Sequence, residues 1–87
     1  MGYFYDLSPR LRKTLKKTLK KDRVLHEAAM KKIQEIIQFP DHYKPLRNVM
    51  KGQFRVHLMK SFVLTFKIDY ENQVVTFLDL EHHDQAY

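Results

Sequence analysis

Apolar positions along this 87-residue chain change their period several times, and each change marks an element boundary. Tyr3, Tyr5 and Leu7 alternate with Phe4 and Asp6, a period of two that predicts a short strand. Ser8-Pro9 then sets up a helix start. Ser offers a side-chain acceptor to the first turn, and Pro supplies the fixed φ of its first residue. Beyond it Leu11, Leu15 and Leu19 recur every four residues among Arg10, Arg12, Lys13, Lys16, Lys17, Lys20 and Lys21. That spacing predicts an amphipathic helix with a narrow apolar stripe. A break follows at Lys21-Asp22, with Asp22 capping a second helix whose buried face is Leu25, Ala28, Ala29, Ile33, Ile36 and Ile37. Pro40 ends this helix, because its ring and missing N–H cannot continue the ladder.

Residues 40–52 read as a loop punctuated by Pro40, Pro45 and Gly52. Three strands follow. Phe54, Val56 and Leu58 alternate with Arg55 and His57, and Phe62, Leu64, Phe66 and Ile68 alternate with Val63, Thr65 and Lys67. Val74 to Leu80 is apolar on both phases except for Thr76 and Asp79, which predicts a central strand. Met59-Lys60-Ser61 and Asp69 to Gln73 supply the hairpin turns. The predicted order is β-α-α-β-β-β, an α+β fold in which a two-helix hairpin packs on one face of a mostly antiparallel sheet. The other face stays at least partly open. Length gives one domain, residues 1–87. Gly2 has no part in this reading.

Charge changes the picture. All sixteen Lys and Arg precede Asp69, and from Asp69 onward there are five acids and no Lys or Arg. Between Asp41 and Asp69 there is no acid, while Lys44, Arg47, Lys51, Arg55, Lys60 and Lys67 fall inside. A polyanionic partner is the natural expectation for such a segment, and a merely soluble basic surface the bland one. The chain has no cysteine, which excludes disulfides and thiolate zinc sites and fits a reducing cytoplasm. No apolar run approaches the roughly 18 residues of a membrane span, and no signal peptide is expected from the residues at the start of the chain. The expectation is a cytoplasmic protein with no membrane partner.

Candidate chemistry lies on the strand phase that the core does not use. Arg55 and His57 point away from Phe54, Val56 and Leu58, so they face the open side of the sheet. A guanidinium can offset charge growing on a phosphate, and an imidazole can move a proton near neutral pH. Ordinary solvent-facing polar residues would give the same pattern. The tail Glu81-His82-His83-Asp84-Gln85-Ala86-Tyr87 adds His82, His83 and Tyr87, which could act in proton transfer, stack on a base or simply face solvent. His57, His83 and Asp84 could converge on a metal, yet their spacing matches no zinc motif, and neither metal nor cofactor is expected. No Gly-rich phosphate loop, G-x-S-x-G elbow or carboxylate pair occurs in the basic half. A ribonuclease needs none of these, since the 2′-OH of its substrate is the nucleophile. The basic run on the first helix is a solvated face or a contact for ribosomal RNA or an acidic protein.

The order β-α-α-β-β-β, the loop His42-Tyr43-Lys44-Pro45-Leu46-Arg47, the strand Phe54-Arg55-Val56-His57-Leu58 and the ending Leu80-Glu81-His82-His83-Asp84-Gln85-Ala86-Tyr87 resemble the RelE/ParE toxin superfamily. Within it the chain is most similar to the RelE- and YafQ-type messenger-RNA interferases of toxin–antitoxin pairs. The resemblance implies a metal-independent endoribonuclease that cuts messenger RNA at the ribosomal A site by 2′-OH attack. It also implies a cognate antitoxin that wraps the toxin in a hetero-oligomer. Carried over by position, it assigns Arg55, His57, His83 and Tyr87 to catalysis. RNA contacts fall to Lys44, Arg47, Lys51, Lys60, Phe62 and His82. Two positions depart: Asp79 stands near the place of a phosphate-facing arginine, and Ser61 stands where YafQ-type toxins have an acid. The departures keep two alternatives open, a ParE-like poison of DNA gyrase and a non-toxic homologue that acts by pairing with an antitoxin.

Overall fold

The protein is seen in a computed structural model, which describes residues 2–42 and 53–82. Strand β1 (Phe4–Leu7) leads into helices α1 (Pro9–Lys21) and α2 (Arg23–Gln38), and a short 3-10 turn covers Pro40–His42. Strands β2 (Gln53–Leu58), β3 (Phe62–Asp69) and β4 (Val74–His82) complete the chain. The sheet order is β1-β4-β3-β2. The two hairpins β2–β3 and β3–β4 are antiparallel, and β1 joins β4 in parallel. A parallel pair needs a long connection, and the helical hairpin supplies it on the way from β1 to the rest of the sheet.

The helix boundaries follow the residues that marked them in the sequence. Ser8 caps α1 by accepting a hydrogen bond from Leu11 N, with Pro9 in the first turn. Asp22 closes α1 and opens α2, its carboxylate accepting from Leu25 N. One continuous core joins Leu11 and Leu15 of α1, Leu25, Ala29, Ile33, Ile36 and Ile37 of α2, and the helix-facing side chains of β2, β3 and β4. The apolar stripe of α1 is shorter than its spacing predicts. Leu11 and Leu15 are buried, whereas Leu19 is 46 % exposed, so the stripe stops contributing to the core after Leu15.

The strand β4 explains its own mixed pattern. Val75 and Phe77 pair with Ile68 and Phe66, whereas Asp79 and Leu80 pair with Thr65 and Leu64. Leu78 is therefore the extra residue of a bulge, and the side-chain phase of β4 reverses across it. Val75 and Phe77 face the helices before the bulge, and Leu80 faces them after it. Asp79, which would share the core phase of Phe77 in a regular strand, is turned to the opposite face. Ser8 fastens the bulge to the start of α1. Its N–H donates to Phe77 O at 2.9 Å, and its hydroxyl donates to Leu78 O.

Gly2 is built into the packing rather than incidental. A Cβ at this position would stand 2.9 Å from the carbonyl oxygen of Ile37, next to the point where Tyr3 N donates to that same oxygen at 3.0 Å. The chain passes close against the last turn of α2, and a side chain would force it off. Gly2→Ala is expected to lower stability by about 1–2 kcal/mol, overpacking outweighing the entropy gained in the unfolded chain. Urea unfolding would register this as a lower midpoint at constant slope. An unchanged midpoint would show that the N-terminal segment yields freely.

Candidate functional site

Register places the candidate groups in rows across the face that the helices leave open. Arg55, Thr65 and Asp79 are consecutive partners on β2, β3 and β4, and His57, Val63 and Glu81 form the next row. Cross-strand partners share a face, and each row is opposite in phase to the core row beside it. Arg55 and His57 are exposed, as the alternation on β2 predicts. Val63, between His57 and Glu81, is buried on this face, at 1 % exposure.

A cavity of about 270 Å³ opens here, lined by Arg10, Gln53, Arg55, Thr65, Leu78, Asp79 and Glu81. Arg10 reaches it from the first turn of α1. Its Nε lies 3.4 Å from Asp79 Oδ2 and its Nη2 lies 3.8 Å from Glu81 Oε1. The two carboxylates are adjacent on one face of β4. A hydrogen bond with Asp79, partial desolvation and the negative charge of Asp79 push the Glu81 carboxyl above the ordinary range, against the opposing pull of Arg10 and Arg55. The cavity therefore pairs two guanidinium groups with two acids, one of which holds its proton to higher pH than a free glutamate.

Arg55 and His57 are brought to one face, as expected from sequence. Phe62 and His82 are partners of each other and continue the row of Leu58, on the helix side of the sheet. Their rings meet edge to face at 5.2 Å. They do not share the face of Arg55 and His57. Lys60 sits in the β2–β3 turn, where it and Met59 adopt positive φ. Lys44, Arg47, Lys51, His83 and Tyr87 lie outside the described residues, as does Asp84. On α1, Lys13, Lys16, Lys17 and Lys20 line a shallow groove of about 380 Å³.

Sequence reasoning passed over Arg10 and Glu81. The two-residue spacing of Asp79 and Glu81 does signal a shared face on a strand. Which face it is depends on the bulge, and so does the meeting with Arg10.

Residues 5–87 match the family model of the ParE toxin of type II toxin–antitoxin systems, parDE. A candidate toxin of Methanocaldococcus jannaschii, RelE4, is 45 % identical over 85 residues, covering 98 % of this chain and 90 % of its own. An uncharacterized protein of Methanosarcina mazei is 39 % identical over 98 % of this chain and 99 % of its own. The E. coli toxin RelE in the free state, with two arginines replaced by alanine, superposes with a TM-score of 0.78 at 25 % identity, covering 99 % of this chain and 88 % of that one. A chain of the intact E. coli RelBE toxin–antitoxin complex gives 0.74 at 26 % identity, covering 91 % and 94 %. The helical hairpin on a mixed four-stranded sheet is thus the RelE fold, and the chain belongs to the ParE toxin family of type II toxin–antitoxin systems, within the RelE/ParE superfamily.

Proposed function

We propose that this toxin is an endoribonuclease that cleaves messenger RNA on the ribosome and is held in check by an antitoxin. The observation that carries the reading is the placement of Arg55 and His57 in phase on the exposed face of β2, where Arg55 lines a cavity that also holds a second guanidinium, that of Arg10. In this reading a base takes the proton of the substrate 2′-OH, whose oxygen attacks the adjacent phosphorus. An acid returns a proton to the departing 5′-oxygen, leaving a 2′,3′-cyclic phosphate. His57 and His83 divide these proton transfers, Arg55 offsets the charge that grows on the phosphate, and Tyr87 stacks on a base or assists a proton transfer. The nucleophile belongs to the substrate, so this scheme asks no metal of the protein. The acid-free basic segment with Lys44, Arg47 and Lys51, together with Lys60, supports RNA binding by charge. The structural likeness to a chain of the RelBE complex supports an antitoxin partner in a hetero-oligomer. The reading places the toxin in the cytoplasm with its ribosomes; no helix among the described residues is long and apolar enough to cross a membrane.

One observation favours a second reading. Asp79 and Glu81 face the same cavity as Arg55, and two carboxylates oppose an incoming phosphodiester. A gyrase-directed toxin of the ParE kind would not suffer from them. Mapping messenger-RNA ends after induction without antitoxin separates the two. New ends inside coding sequence, dependent on ribosomes, are expected. Intact messengers with accumulating gyrase-linked DNA breaks would replace the nuclease reading with the second one.

A further inference from the structure

The cavity on the open face holds a cation that the nuclease chemistry has not yet used. Arg10 projects from α1 and is 76 % exposed, yet it ends between two acids that are far less exposed, Asp79 at 14 % and Glu81 at 29 %. Its backbone is fixed where it matters. Ser8, two residues earlier, ties the first turn of α1 to the bulge carbonyls of Phe77 and Leu78, immediately before Asp79. The guanidinium is thus anchored at both ends, by its helix turn and by its carboxylates, with Arg55 on the same cavity wall.

We infer that Arg10 is a second phosphate-contacting residue of the site, positioned by Asp79 and Glu81. The inference rests on the endoribonuclease reading. Transfer through a pentacoordinate phosphorus adds negative charge to the non-bridging oxygens, and a preorganised cation stabilises that charge more than a mobile one. Arg suits this task because its planar fork can give some N–H groups to a carboxylate and others to a phosphate. Among the described residues the ion pairs of Arg10 run through Nε and Nη2, and the five N–H groups of the guanidinium fork include others that can turn to an anion. The acids then have a constructive part. They hold the guanidinium over the sheet.

The rival is an ordinary surface ion pair. Exposed pairs of this kind add little to stability, so Arg10→Ala should leave the fold unchanged. The test uses the full chain and ribosomes programmed with a defined messenger, with cleavage followed under single-turnover conditions. Arg10→Ala is expected to slow cleavage by about 10- to 1,000-fold, the range for removing one transition-state donor. Arg10→Lys should recover part of that loss. Asp79→Asn should raise the half-saturating ribosome concentration more than it lowers the limiting cleavage rate, since it loosens the cation without removing it. Melting curves should stay close to wild type for all three. Arg10→Ala cleaving at the wild-type rate overturns the inference and spares the nuclease reading. Wild-type protein that cuts no messenger, free or ribosome-bound, overturns both.

Discussion

Phe66→Ala is expected to remove about 3–5 kcal/mol of folding stability. Small domains have only about 0.05–0.15 kcal/mol per residue in reserve, so this loss takes away a large part of the total. Phe66 has no exposed surface and sits mid-sheet on β3. Its ring stacks on Phe54 of β2 at 5.3 Å with an interplanar angle of 8°, and meets Phe77 of β4 at 5.8 Å and 42°. These three rings run across the sheet in register, under Leu11, Ile33 and Ile36, which are also fully buried. Truncation would leave a void that three strands and two helices cannot close together, because each is held by the others. Urea unfolding should show a midpoint lowered by about 1–5 M, given slopes of roughly 1–3 kcal/mol per molar for small domains. Phe4→Ala is the matched control. At 77 % exposure on β1, it should move stability by no more than about 0.5 kcal/mol. Equal losses at the two positions would show that burial across the sheet is not what holds this fold.

The elements were legible in the sequence because local signals and tertiary packing agree for most of the chain. Ser8-Pro9, Asp22 and Pro40 mark helix boundaries through backbone chemistry that needs no distant partner. The alternation of Phe54 with Arg55 and His57 survives for a similar reason, since a regular strand has only two phases. Long-range geometry was not legible. The apolar run from Val74 to Leu80 does carry a trace of the bulge, because both phases are apolar when a strand changes face midway. Read without a partner strand, it signals only burial. The facing of Asp79 and Glu81 toward Arg10, across about seventy residues, follows from that bulge and from the hydroxyl of Ser8 that holds it. The family resemblance assigns Phe62 and His82 to RNA contact, yet register turns both to the helix side, away from Arg55 and His57. Gly2 was silent for the same reason, because its close neighbour Ile37 lies a whole helical hairpin away in sequence.

The joint replacement of His57 and His83 by alanine is expected to abolish RNA cleavage and growth arrest while leaving the molecule folded. General acid–base groups each contribute about 10²–10⁴-fold. Losing the base and the acid together should leave only binding and electrostatic stabilisation by the arginines. The two losses are not expected to multiply, because a single proton-transfer relay fails once either end is missing. Each single variant should therefore fall most of the way to the double one. The His57 side chain is exposed on β2, and the β-sheet ladder there is made by backbone groups of β2 and β3. Circular dichroism and the urea midpoint should match wild type to within about 0.5 kcal/mol. Lys at position 57 separates proton transfer from charge. If His57 acts only through positive charge toward RNA, His57→Lys will keep cleavage and alter its salt dependence. If it moves a proton, His57→Lys will shift the pH profile of cleavage to higher pH, since an amine titrates well above an imidazole. A folded double variant that still arrests growth and still cuts messenger would remove both histidines from the reaction. The work of the open face would then pass to Arg55, Arg10 and the carboxylates beside them.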